Sequence, residues 1–120
     1  MDGKDAHIAL VATTDYDWRV QCELALLQQG YAVHVASEGF QVLKMVGRHV
    51  YDFIVLDDSL SDVGPVELSL NVRDVAPNRP GMFVAGNNLD KFCRVWRLCN
   101  VFFVGPRERV LKHISAIEKK

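Results

Sequence analysis

Five short apolar runs recur along the chain, and each is followed by a stretch with helical spacing. The runs are His7–Thr13, Ala32–Ala36, Phe53–Leu56, Met82–Ala85 and Val101–Val104. Each is strand length, and most are rich in β-branched or aromatic residues. The intervening stretches run from Trp18 to Gln29, Glu38 to about Arg48, Pro65 to about Val75, Leu89 to Cys99, and Arg107 to about Glu118. Short buried strands alternating with helices predict right-handed βαβ crossovers and a parallel sheet covered on both faces. A chain of 120 residues, 49% of them hydrophobic, suits a single α/β domain over 1–120 with its core at about 7–118.

The boundaries have local signals. Asp15 or Asp17 can cap the first helix and Gly30 stops it. Ser37 can cap the second, with Phe40, Leu43 and Val46 or Met45 turned inward. Pro65 suits the first turn of the third helix, and Asn87 or Asn88 can cap the fourth. Val110, Leu111, Ile114 and Ile117 share one face of the last helix. Trp96 and Phe92 read as core, whereas the placement of Trp18 is left open.

The central run carries the chemistry. Tyr51-Asp52-Phe53-Ile54-Val55-Leu56 ends abruptly at Asp57-Asp58. Carboxylates there mark the carboxyl edge of a buried strand, where ligands collect in open α/β sheets. Nucleotide folds are disfavoured, because no GxGxxG follows the first strand and no GxxxxGK[ST] occurs. No GxSxG elbow supports a catalytic triad either. Cys22, Cys93 and Cys99 lack CxxC spacing and read as reduced thiols, mostly buried. His7, His34, His49 and His113 form no ligand pair at helical spacing, so no metal site is expected. No run is long enough to span a membrane, and the polar Met1–Asp5 lacks a signal-peptide pattern, which makes a cytoplasmic location the expectation. Charge is split along the chain. Residues 1–90 hold 13 acids against six Lys/Arg, and residues 91–120 hold two acids against eight. That asymmetry points to a basic binding face.

Residues 7–118 resemble the receiver domain of bacterial two-component response regulators. The resemblance rests on Gly30-Tyr31-Ala32-Val33, on Tyr51–Asp57, on Phe102-Phe103-Val104-Gly105-Pro106, and on Arg19 in the first helix. It implies a flavodoxin-like (CheY-like), doubly wound, five-stranded parallel sheet of order 2-1-3-4-5 with five helices. It places the phosphoacceptor at Asp57. The paired acids that help hold Mg²⁺ in the family fall on Thr13 and Thr14, with Asp15 the nearest acid remaining. The hydroxyl position of the fourth strand is Ala85, the lysine before the proline is Gly105, and the switch aromatic is Phe102.

Phosphoryl transfer to a carboxylate depends on positioning and charge neutralisation. Losing one positioned electrostatic contact can cost about a hundred- to a thousand-fold in rate. Several such losses together imply a pseudo-receiver that signals by protein contact and is not an enzyme. Asp57 is then a leftover strand-end carboxylate, solvated or hydrogen-bonded to Thr13 or Thr14. No cofactor is expected on this reading. The alternative is a working receiver that accepts a phosphoryl group on Asp57 from a histidine kinase, with Mg²⁺ held partly by Asp15 and Asp58. A third possibility is a small ligand in the room around Thr13, Asp57 and Gly105.

The expected partner face lies on the fourth helix, fifth strand and fifth helix, with Lys91, Arg94, Arg97, Arg107, Arg109 and Lys112. The resemblance implies a signalling protein or a second copy there. No basic stripe interleaved with aromatics supports nucleic acid.

Overall fold

The computed structural model describes residues 7–117. Met1–Asp5 and Glu118, included in the expectations above, lie outside that range. Five strands form one parallel sheet in the order β2-β1-β3-β4-β5: β1 Ile8–Ala12, β2 Ala32–Ala36, β3 Phe53–Asp57, β4 Gly81–Ala85 and β5 Val101–Gly105. The helices are α1 Tyr16–Gln28, α2 Gly39–Val46, α3 Pro65–Val75, α4 Cys93–Leu98 and α5 Arg107–Ser115. The flavodoxin-like order and the five helices are as the sequence implied.

The sheet divides the core in two. On one side Trp18, Cys22, Ala25 and Leu26 of α1 and Val110 and Ile114 of α5 pack on Val11, Val55 and Phe83. On the other, Val42 and Val46 of α2 and Leu68 and Val72 of α3 pack on Leu10, Ile54, Leu56 and Met82. β3 is covered on both faces, which explains why its sequence is continuously apolar rather than alternating. Its last residue, Asp57, is delivered at the carboxyl edge in register with Ala85 of β4, which pairs in turn with Gly105 of β5.

Three local expectations are corrected. Ser37 does not cap α2. The Gly39 and Phe40 amides instead donate to Asp62 Oδ1 and Oδ2 at 2.8 and 3.0 Å, from the loop before α3. With its start set there, α2 buries Val42 and Val46 and leaves Phe40 exposed. Neither Asn87 nor Asn88 caps the fourth helix. Asn88 takes a left-handed turn at φ 61°, and a 3₁₀ turn at Asp90–Phe92 precedes a shortened α4. Lys91 therefore sits on that 3₁₀ turn, ahead of the helix that carries Arg94 and Arg97.

The Gly39 and Phe40 amides hold the Asp62 carboxyl below its ordinary pKa. A depressed carboxylate stabilises above its unfolded pKa, and the contribution disappears as pH falls through the folded value. Asp62→Ala should accelerate hydrogen exchange at the Gly39 and Phe40 amides and lower the melting temperature. Unchanged exchange at both amides would mean that the cap does not form in solution.

Candidate functional site

The site is built at the carboxyl edge from β1, β3 and the start of α5. Asp57 is buried, with no exposed side-chain surface. Its Oδ2 accepts the Thr13 hydroxyl at 2.8 Å, one residue beyond β1. Thr13 Oγ1 also takes the Asp15 amide at 3.1 Å, and the Ser59 amide reaches Asp57 Oδ2 at 3.4 Å. Thr14 does not touch Asp57. Its backbone amide donates to Ser59 Oγ at 2.9 Å, and the residue is exposed.

The main occupant of the site is a side chain expected elsewhere. Arg107, the first residue of α5, donates from Nε to Asp57 Oδ1 at 3.0 Å and from Nη2 to Oδ2 at 2.7 Å. The pair is bidentate, the geometry in which guanidinium and carboxylate bind best. Nη1 donates to Asp15 Oδ2 at 2.8 Å, and the guanidinium lies 5.6 Å from the Trp18 ring centroid. Asp15 has a second role, because its Oδ1 accepts the Trp18 amide as the N-cap of α1. One guanidinium thus joins the ends of β3, α1 and α5.

Arg107 is therefore removed from the basic partner face. The chain direction explains the shift: Gly105-Pro106 ends β5 beside Ala85, and the first turn of α5 then rises over Asp57. The signal available in the sequence was an Arg two residues past the position where the family has its lysine. The other candidates on that face, Lys91, Arg94, Arg97, Arg109 and Lys112, are all exposed.

The electrostatics follow from the contacts. Burial pushes the Asp57 pKa up, but the Arg107, Ser59 and Thr13 hydrogen bonds and the Arg107 charge outweigh it, and the net shift is downward. The bonds to Asp57 hold the Arg107 guanidinium above its ordinary value, so both groups stay ionised across the physiological range. Burial is also the largest cause pushing Cys22 up to about 12, which leaves its thiol protonated.

Ala85 is buried and offers no hydroxyl, and Gly105 offers no ammonium. Asp58, one residue past the end of β3, is exposed and makes no hydrogen bond to the pair, but its charge adds to that of Asp57 and Asp15 in holding Arg107 protonated. Phe102 lies elsewhere. Met82 pairs with Val101 and Phe83 with Phe103, so Phe102 is an unopposed residue at an irregularity in β5. The residue is 57% exposed, and its ring centroid lies 5.8 and 5.9 Å from those of Phe53 and Phe83. It covers Gly81, where an added Cβ would come within 2.7 Å of the ring. Gly81 begins β4 and Ala85, beside Asp57, ends it, so about 13 Å of strand separates ring and carboxylate.

Mg²⁺ wants near-octahedral oxygen ligation with one or two carboxylates free to bind it. Here both Asp57 oxygens and one Asp15 oxygen are already on a guanidinium, and Thr13 contributes only a neutral hydroxyl. These residues do not fit a magnesium site. Next to the pair, a cleft of about 300 Å³ is lined by Asp58, Gly86, Asn87, Pro106, Arg107 and Glu108.

The sequence matches no protein-family model and no curated protein. Solved structures do match in fold. A CheY-like response regulator receiver domain from Methanospirillum hungatei superposes with TM-score 0.72 at 16% identity, covering 92% of this chain and 91% of that one. The receiver domain of a sensor histidine kinase from Pseudomonas aeruginosa, with magnesium coordinated in its active-site cleft, gives TM-score 0.69 at 18% identity and coverages of 93% and 99%. A streptococcal redox sensor, from a family described as evolved from two-component response regulators, gives 0.71 at 20% identity, covering 92% of this chain and 50% of that one. Identities this low establish a shared fold, and that fold is the receiver-domain fold.

Proposed function

We propose that this chain is a receiver-type signalling module in which a permanent internal counterion has replaced phosphorylation. One observation carries the reading: the Arg107 guanidinium holds both oxygens of the buried Asp57. A carboxylate accepts a phosphoryl group only if one oxygen is free for in-line attack and the incoming charge is neutralised. Asp57 has neither condition, because both its oxygens accept from Arg107, one of them also from Thr13, and the cation that holds it is already paired. The module works through protein contacts and is not an enzyme, and it needs no metal or cofactor. Its partner is a signalling protein. The exposed Lys91, Arg94, Arg97, Arg109 and Lys112 support an acidic contact surface on that partner.

The test is incubation with Mg²⁺ and acetyl phosphate followed by intact-mass and peptide mass spectrometry. No hydroxylamine-labile adduct should appear on Asp57. An adduct there would restore the reading of a working phosphoacceptor and sink this one.

A further inference from the structure

α1 is apolar on two opposite sides. Trp18, Cys22, Ala25 and Leu26 are buried against the sheet. Tyr16, Leu24 and Leu27 are 65%, 55% and 54% exposed, with Val20 half-buried among them. At about 100° per residue these four side chains fall within about 80° of arc, centred nearly opposite the buried side. A helix that only covers a sheet carries polar residues on its outer face. A continuous apolar stripe facing outward is the mark of a contact surface.

The charges beside the stripe indicate what fits it. Arg19 and Glu23 lie on one flank, paired at 3.2 Å, and the Arg19 guanidinium sits 4.8 Å over the Tyr16 ring. They stand two residues either side of Gln21. When two copies of one helix pack antiparallel about a twofold axis, the same flank of each meets the other. An axis level with Gln21 sets Arg19 of each copy opposite Glu23 of the other. At a rise of about 1.5 Å per residue, it also brings Tyr16 to within about 1.5 Å of the level of Leu27 of the second copy and seats Leu24 between Tyr16 and Val20 of the second copy. Asp17 comes level with Ala25, so no like charges are opposed. The stripe is thus self-complementary in both shape and charge.

We infer that the outer face of α1 is a self-association surface whose occupant is a second copy of this chain, packed antiparallel. The surface is separate from the basic face of α4 and α5 and involves neither Asp57 nor Arg107. A contact of so few side chains makes a weak dimer, populated at roughly tens to hundreds of micromolar.

Sedimentation equilibrium of the full chain from about 5 to 500 μM should show a monomer–dimer equilibrium. Leu24→Glu or Leu27→Ser should weaken it about tenfold or more. Arg19→Glu and Glu23→Arg should each weaken it several-fold, and the double exchange should restore it. The two single variants, mixed, should associate more tightly than either alone. All four positions are on or beside the exposed face, and circular dichroism will verify that each variant is folded. A chain monomeric throughout this range overturns the inference. So does a dimer that ignores Leu24→Glu, or folded variants in which the charge exchange restores nothing.

Discussion

Replacing Arg107 with alanine should lower the unfolding free energy by about 2–4 kcal/mol at neutral pH, in urea titrations followed by circular dichroism. Removing one member of a buried ion pair usually costs about 3–5 kcal/mol, because the other charge is left without a partner. The lower range applies because the Arg107 side chain is 34% exposed, so water can reach part of the gap. The cost arises mainly at Asp57, whose side chain is fully buried and would keep only the neutral donors of Thr13 and Ser59. Adding Asp57→Asn to the Arg107→Ala chain should therefore return much of the loss, since the amide removes the stranded charge at nearly unchanged volume. A double-mutant cycle over these two positions should show strong coupling. If Arg107→Ala costs under about 0.5 kcal/mol, like an ordinary surface change, the guanidinium is not holding Asp57 in solution.

Acid should act through the same pair. The folded-state pKa of Asp57 is depressed, its contacts outweighing the effect of burial. A depressed carboxylate contributes stability that is fully present above its unfolded pKa, near 3.8. That contribution is lost progressively as pH falls toward and through the lower folded value. The Asp57→Asn chain lacks this titration. Unfolding curves at steps from pH 7 to pH 2 should therefore show a smaller acid loss for Asp57→Asn than for the parent. The difference between the two should change below about pH 4 and stay flat above about pH 5. Parallel profiles through the acid range would show that Asp57 is not held ionised in the folded chain. Above pH 5 neither Asp57 nor Arg107 changes charge, so the internal counterion is no pH switch under physiological conditions.

The strands and helices were legible because their signals are local. Phe53–Leu56 reads as a doubly covered strand from four consecutive apolar residues, and Pro65–Val75 starts at its proline and ends before Pro77. The spacing of Cys22, Ala25 and Leu26 fits a helix packed on the sheet, whereas Trp18, open in the sequence, is placed in the core by the structure. Misplaced features share a different cause. The spacing of Phe40, Leu43 and Val46 points Phe40 inward and Ser37 offers a local cap, yet α2 buries Val42 and Val46 and is capped by Asp62, 23 residues from Gly39. Phe102 was aligned to a switch position, but an irregular β4–β5 register moves its ring onto Gly81.

The candidate site divides along the same line. Asp57, Thr13, Ala85 and Gly105 could be placed because each sits at a strand end, and strand ends follow from hydrophobic periodicity. What these groups do to one another could not be read there. Arg107 lies 50 residues from Asp57 and 92 from Asp15, and no pattern within a helix or strand links them. The sequence alone determined a parallel five-stranded frame and a carboxylate at the end of its central strand, since apolar spacing and residue identity are properties of short segments. Only the tertiary structure decided that a guanidinium pairs with that carboxylate. A parallel sheet gathers the ends of distant strands and the starts of their helices at one edge, and charges there pair through space, whatever their order along the chain.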